Sequence, residues 1–276
     1  MESVQYRLEM QHISKRFGGI QALDDVSVQV SPGEIHALVG ENGAGKSTLI
    51  KILSGAYTRD SGTICIDGEE VSISSPLAAK SLGVSVIYQE FMLAPDLTVA
   101  ENIFIDRLAG DKKLIRWKKL REDAREILKE LGFENIAVTE KVGRLSVAHQ
   151  QIVEICKCLT RNAKILILDE PTAVLTVTEI SRLFRLVRLL KEKGVSIIFV
   201  SHHMNEIFEL CDSYTVLKDG KFVKRGMVQD TTTEGLIQSM IGRELSQMFP
   251  QRNARIGDVV LKVEGLSIGD KITVLK

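Results

Sequence analysis

The stretch Gly40-Glu41-Asn42-Gly43-Ala44-Gly45-Lys46-Ser47-Thr48 constrains this chain more than any other. The run Ile35-His36-Ala37-Leu38-Val39 precedes it and Leu49-Ile50-Lys51-Ile52-Leu53 follows, giving strand, glycine-rich turn and helix in that order. Gly40, Gly43 and Gly45 open the turn to backbone conformations closed to residues with a Cβ. Successive N–H groups can then face inward as an anion-binding nest. The helix starting near Lys46 adds the positive end of its dipole at the same place. The pattern G-x-x-x-x-G-K-[ST] is that of a loop that cradles the phosphates of a nucleoside triphosphate. On this reading Gly40, Asn42, Gly43, Ala44, Gly45, Lys46, Ser47 and Thr48 hold the nucleotide. Lys46 reaches the β- and γ-phosphates, and the Ser47 hydroxyl ligates Mg²⁺.

Before the loop, Leu8, Met10 and Ile13, then Leu23, Val26, Val28 and Val30, read as antiparallel β structure, with Gly18-Gly19 and Ser31-Pro32-Gly33 as turns. Gly55 sits where a helix C-terminal cap is expected. Ile64-Cys65-Ile66 and Val71-Ser72-Ile73 flank Asp67-Gly68, a hairpin signal, and Val84 to Tyr88 is a further buried strand. From about residue 95 to 160 the pattern turns helical: Leu120, Ala124, Ile127, Leu128 and Leu131 share one face, and Ile152, Ile155, Cys156 and Leu159 repeat the spacing. Strand and helix then alternate again: Ile165 to Leu168, a helix carrying Ile180, Leu183, Phe184, Val187 and Leu190, and Val195 to Val200. Tyr214 to Leu217 closes through Asp219-Gly220. This rhythm predicts an α/β fold with a mainly parallel sheet, an N-terminal antiparallel β subdomain and a helical insertion.

Composition removes several classes. Lys plus Arg and Asp plus Glu are both 36, so the basic surplus that usually accompanies phosphate contacts to nucleic acid is missing, and no nucleic-acid partner is expected. Cys65, Cys156, Cys158 and Cys211 form no CxxC pair, which favours reduced thiols over a metal site or a disulfide framework. Met1 to Val4 carries no secretory signal pattern, and no apolar run approaches the ~18 residues of a membrane span. Any service to a membrane is expected through a partner.

The second chemical signal is Ile165-Leu166-Ile167-Leu168-Asp169-Glu170, an apolar strand that delivers two carboxylates to the edge where open α/β sheets bind ligands. Asp169 there can hold Mg²⁺, and Glu170 can orient and deprotonate an attacking water. With the loop at 40–48 and Ser201-His202 one strand later, residues 6–245 resemble an ATP-binding cassette (ABC) ATPase. Ile13-Ser14-Lys15-Arg16-Phe17-Gly18-Gly19 and Glu170-Pro171-Thr172-Ala173 are more narrowly similar to the N-terminal cassette of the tandem ATP-binding subunits of bacterial ribose, galactose and xylose importers. The resemblance implies that Phe17 stacks on adenine. It implies that Gln89 reaches Mg²⁺ and water and links the site to the helical insertion. It also implies that His202 contacts the γ-phosphate, while His203 has no such role and His12 and His36 are structural.

Two segments depart from the family. Its glycine-bearing LSGGQ signature is here Leu145-Ser146-Val147-Ala148-His149, and Thr176 replaces the aspartate of the loop after Pro171-Thr172. In the family both segments serve the opposing cassette, so the chain carries an intact nucleotide-grasping half and a weakened donated half. Val260-Leu261-Lys262-Val263-Glu264-Gly265-Leu266-Ser267 echoes Arg7 to Ser14. The expected organisation is an ABC ATPase domain over 1–245 with a helical subdomain near 91–160, a linker at 246–258, and at 259–276 the first strands of a truncated second ABC domain. The resemblance further implies a second cassette on the same longer chain or another subunit, membrane permease subunits, and indirectly a sugar-binding protein, with the chain cytoplasmic and peripheral on the inner face of the membrane. Rival readings are an ABC ATPase of DNA repair or translation, which a basic surface would favour, and a P-loop kinase, which needs an acceptor site and lid.

Overall fold

The structure, a computed structural model, describes residues 6–88, 92–110, 115–160 and 162–241, with backbone alone at 107, 109 and 110. All fall in the first of two units, Met1–Gly242 and Arg243–Lys276. Gln89, the expected linker at 246–258 and the expected second domain at 259–276 lie outside the described residues.

The chain runs β1 (Leu8–Phe17), β2 (Ile20–Val30), β3 (Ile35–Val39), α1 (Lys46–Leu53), β4 (Ser61–Ile66), β5 (Glu69–Glu70), α2 (Pro76–Ser81) and β6 (Val84–Ile87). A helical section follows: α3 (Val99–Ile103), α4 (Ile105–Gly110), α5 (Trp117–Glu130) and α6 (Val147–Leu159). Then come β7 (Ile165–Asp169), α7 (Val177–Glu192), β8 (Ser196–Val200), α8 (Met204–Leu210), β9 (Ser213–Lys218), β10 (Lys221–Met227) and α9 (Thr233–Ile241).

Two sheets result. The first, ordered β2-β1-β4-β5, is antiparallel, and the second is ordered β10-β9-β3-β8-β7-β6. In the second, β9, β3, β8, β7 and β6 run parallel, and only β10 is antiparallel to its neighbour β9. The three-residue steps from Met10 to Ile13 and from Leu23 to Val26 mark β-bulges, where His12 (φ 54°) and Asp25 (φ 57°) turn left-handed so that the next side chain still points inward. The Asp67-Gly68 turn is present, but its returning arm is Glu69–Glu70 and not the Val71–Ile73 run. Gly55 follows α1 at φ 74°, donating its N–H to the Ile52 carbonyl at 3.1 Å, as a C-terminal cap requires.

Every residue of β3 is buried because both faces of the parallel sheet are covered. Ile35, Ala37 and Val39 join the core shared with α3, α5, α6, α7 and α8, while Leu38 joins the core shared with α1 and the antiparallel sheet. Each such fully buried Ile, Leu or Val side chain is worth about 1.5–3 kcal/mol. No described helix is long and apolar enough to cross a membrane.

His36, on β3, is the polar exception, at 0% exposure. The Ser213 hydroxyl donates to Glu34 Oε1 and accepts from His36 Nδ1 at 2.6 Å, which leaves Nε2 to accept from the Thr215 hydroxyl at 2.9 Å. Burial pushes the His36 imidazole below its ordinary 6.5, against the opposing pull of Glu34. Burial also pushes the Glu34 carboxyl up, but bonds from His36, Ser213 and the Ser31 N–H outweigh it and hold the group at about 2. In both groups the folded pKa lies below the unfolded one, so the unfolded chain binds more protons and acid destabilises the fold. Chemical denaturation from pH 7 downward is therefore expected to lose stability first as pH falls below 6.5, from His36, and further between 4.5 and about 2, from Glu34. His36→Gln should lack the first phase, and an identical profile in that variant would contradict the neutral buried imidazole.

Candidate active site

The glycine-rich turn is braced from both sheets. At Gly40 an added Cβ would lie 2.3 Å from the Leu217 carbonyl oxygen of β9. At Gly45 (φ 100°), the N-cap of α1, it would lie 2.6 Å from Leu23 Cδ2 of β2. The Ala44 carbonyl accepts from the Gly220 N–H at 3.2 Å, and the Gly220 carbonyl accepts from the Asp24 N–H at 2.7 Å. Ala44 is buried in this brace, whereas Asn42, Gly43 and Ser47 are exposed on the outer side. The Lys46 amine donates back across the turn, to the carbonyls of Gly40 at 2.6 Å and Glu41 at 3.0 Å.

β7 ends at Asp169, two strands from β3 in the sheet with β8 between, so its carboxylates face the same edge as the turn. Burial pushes the Asp169 carboxyl up and the Glu170 charge adds to this, with Lys46 and Lys51 opposing. Burial lowers the Lys46 amine, with Glu170 and Asp169 opposing. The amine and the two carboxylates thus form one partly desolvated cluster.

Glu170 is backbone-strained. Among the described non-glycine residues with positive φ, the other five are Asp, Asn or His, which tolerate that region, while Glu170 holds φ 48°. Such outliers cost about 1–3 kcal/mol and gather at functional sites. The Glu170 N–H donates to the Val200 carbonyl at 3.0 Å, and its Oε1 stands 3.3 Å from His202 Nδ1 just past β8. Sequence reasoning missed the link beneath them. Buried Glu206 of α8 accepts from both Ser201, beside His202, and Thr172, two residues after Glu170. A Glu four residues after a histidine on a short helix reads as solvent-facing, so no pattern marked it.

Phe17 ends β1, 40% exposed, its ring 5.0 Å edge-on to Tyr57 and 5.4 Å from the Lys15 amine. Tyr57 follows α1 and donates its N–H to the Lys51 carbonyl at 2.9 Å, which ties the aromatic corner to the helix that leaves the turn. The structure therefore sets Lys46 within electrostatic reach of Asp169 and Glu170, and Glu170 against His202, while Phe17 packs on Tyr57.

Among the described residues no group of three or more His, Cys, Asp or Glu could hold a metal ion alone. Mg²⁺ keeps several waters and is held by one or two protein oxygens together with phosphates. The hard-oxygen set of the Ser47 hydroxyl and the Asp169 carboxylate fits that role.

Ser146 caps α6, accepting from the His149 N–H at 3.3 Å, and leaves Val147 41% exposed at the helix start. Thr176 caps α7 in a reciprocal box with Glu179, its N–H and hydroxyl each 2.8 Å from Glu179 Oε2.

The model of the ABC transporter family matches residues 23–173, more than half of the chain. The ribose import ATP-binding protein of Geobacillus kaustophilus is 46% identical over 262 residues, 94% of this chain and 53% of that protein. The putative ribose/galactose/methyl galactoside import ATP-binding protein 1 of Rhizobium meliloti is 47% identical over 261 residues, 94% of this chain and 51% of that protein. The chain spans about half the length of these curated relatives. Among solved structures, the ADP conformation of an ATP-binding cassette of an ABC transporter superposes with a TM-score of 0.77 at 25% identity, covering 87% of this chain and all of that one. A dimeric cassette bound to ADP and phosphate superposes at 0.69 and 25% identity, covering 80% of this chain and 98% of that one. Two sheets, a braced glycine turn and a family match over residues 23–173 make the conclusion direct: the chain belongs to the ABC transporter family.

Proposed function

We propose that this chain is the first nucleotide-binding cassette of a subunit that hydrolyses ATP to drive import of a monosaccharide. The observation that carries the hydrolytic part is the cluster of Lys46, Asp169, Glu170 and His202 at one edge of the parallel sheet. In this reading the turn from Gly40 to Thr48 wraps the phosphates, and the Lys46 amine exchanges its loop carbonyls for β- and γ-phosphate oxygens. Phe17 carries the adenine on its exposed face. Ser47 and Asp169 would hold Mg²⁺, with Gln89 completing the set, and the ion would supply neutralisation of phosphate charge. Glu170 aligns a water in line with the γ-phosphorus and takes its proton. His202, 3.3 Å from that carboxylate, holds its orientation and would contact the γ-phosphate.

The relatives' names support the cargo class, and their length supports a second cassette, on the same longer chain or another subunit. Val147 and Ala148 put Cβ atoms on the donated segment, where close backbone approach to a partner's nucleotide favours glycine. This cassette's own site would draw its missing half from the second cassette. Permease subunits, a sugar-binding protein that reaches the chain through them, and a peripheral place on the inner membrane face complete the reading.

Reconstitution tests it. The full-length protein with its permease subunits in vesicles, supplied with ATP and a sugar-binding protein, is expected to import labelled ribose or galactose while releasing free phosphate. This chain without a second cassette should import none. Phosphate appearing on the sugar would replace this reading with a kinase. Salt-sensitive binding to DNA or RNA without uptake would replace it with a nucleic-acid machine.

A further inference from the structure

Glu206 lies in the first turn of α8 at 8% exposure, where a carboxylate needs partners. Its Oε2 takes two: the Ser201 hydroxyl donates at 2.6 Å and the Thr172 hydroxyl at 2.9 Å. With its hydrogen committed, Ser201 Oγ accepts from the His203 N–H at 3.0 Å. Ser201 and Thr172 are themselves buried. They belong to the two segments of the proposed chemistry, Thr172 two residues past Glu170 and Ser201 one before His202. The same segments meet again through the Glu170 N–H on the Val200 carbonyl at 3.0 Å and through the Glu170–His202 contact.

Resting on the hydrolytic reading above, we propose that Glu206 is a positioning residue for ATP hydrolysis, which through Ser201 and Thr172 locks the Glu170 turn and the His202 turn into one geometry around the reacting water. Hydrogen bonds to an ionised acceptor are about twice as strong as neutral ones. A left-handed Glu170 persists only where its surroundings over-determine it. The main-chain bond to Val200 fixes one side of that residue, and the Thr172–Glu206–Ser201 clip fixes the other. An apolar side chain of similar size would fill the space without the cost of burying a charge, so packing alone does not call for a carboxylate here. Glu206 acts through its two hydroxyl partners.

In the full-length protein, Glu206→Ala is expected to lower kcat for ATP hydrolysis by about tenfold to a hundredfold while leaving KM within about twofold, because a small misplacement costs rate and not affinity. Glu206→Gln keeps an acceptor oxygen and should recover kcat to within about threefold of wild type. Thr172→Val removes one donor at nearly constant shape and should lower kcat by less than Glu206→Ala, which keeps the test open if the alanine variant does not fold. Wild-type kcat in a folded Glu206→Ala or Thr172→Val protein overturns the positioning role. So does a rise in KM with a lower melting temperature and unchanged kcat, which is the mark of a structural residue alone. Lys46→Ala run alongside separates the two levels: if it hydrolyses ATP normally, the site reading itself fails. A dead Lys46→Ala beside a fully active Glu206→Ala removes only the role of Glu206.

Discussion

Lys46→Ala is expected to weaken ATP binding at this cassette by at least about a hundredfold. The amine is the cation of a partly desolvated cluster, facing Asp169 and Glu170, and burial already costs it part of its charge preference. Incoming phosphates give that charge a matching partner. Each hydrogen bond to a charged group is worth about 1.5–3 kcal/mol, and two of them already exceed the roughly 2.8 kcal/mol that a hundredfold represents. Alanine also leaves the triphosphate facing two carboxylates with the nearest cation gone, so repulsion adds to the loss. The fold should survive, since the bonds that Lys46 makes are to carbonyls at the edge of the turn, while the brace through Gly220 and Leu217 is untouched. Titration calorimetry with ATP, beside a melting curve, measures both. Unchanged affinity would remove the assignment of the turn.

Glu170→Gln separates binding from chemistry. The amide keeps the size of the carboxylate and its place beside His202, and it carries no extra backbone cost at φ 48° beyond that already borne by glutamate. It cannot take the proton of an attacking water. General-base catalysis contributes about 10²–10⁴-fold, so hydrolysis in the full-length protein should fall by that factor while the dissociation constant for ATP stays within about threefold. Removing one negative charge beside Asp169 would if anything favour the bound triphosphate. Rapid-quench measurement of phosphate release is the readout, and a variant turning over at the wild-type rate would place the base elsewhere.

Much of this architecture was legible because its signals are local. The turn from Gly40 to Thr48 carries its strand and helix on either side, and the apolar run into Asp169 states both its burial and its end. The helical faces of α5, α6 and α7 repeat at the right period. The odd three-residue steps in β1 and β2 already contained the bulges at His12 and Asp25, though only the register makes them visible. The short helix α2 carries Ser75-Pro76, a cap followed by a first-turn proline, but its six residues leave no period to read. The polar interior was out of reach for a different reason. Glu34, His36, Ser213 and Thr215 meet only because β3 lies beside β9, and Thr172, Ser201 and Glu206 meet only because β7 lies beside β8. Such groups are partners across a sheet, and a linear pattern does not contain the sheet order.

That sheet order also governs when the nucleotide turn can exist during synthesis. β3, which carries the turn from residue 35 onward, has β8 on one side and β9 on the other. Both neighbours come more than 150 residues later in the chain. The brace at Ala44 waits longer still, for the Gly220 N–H. A growing chain on the ribosome therefore holds an early motif that stays unformed until nearly the whole cassette has emerged, since long-range pairing must precede it. A nucleotide held at that turn would mark a cassette whose central sheet is complete.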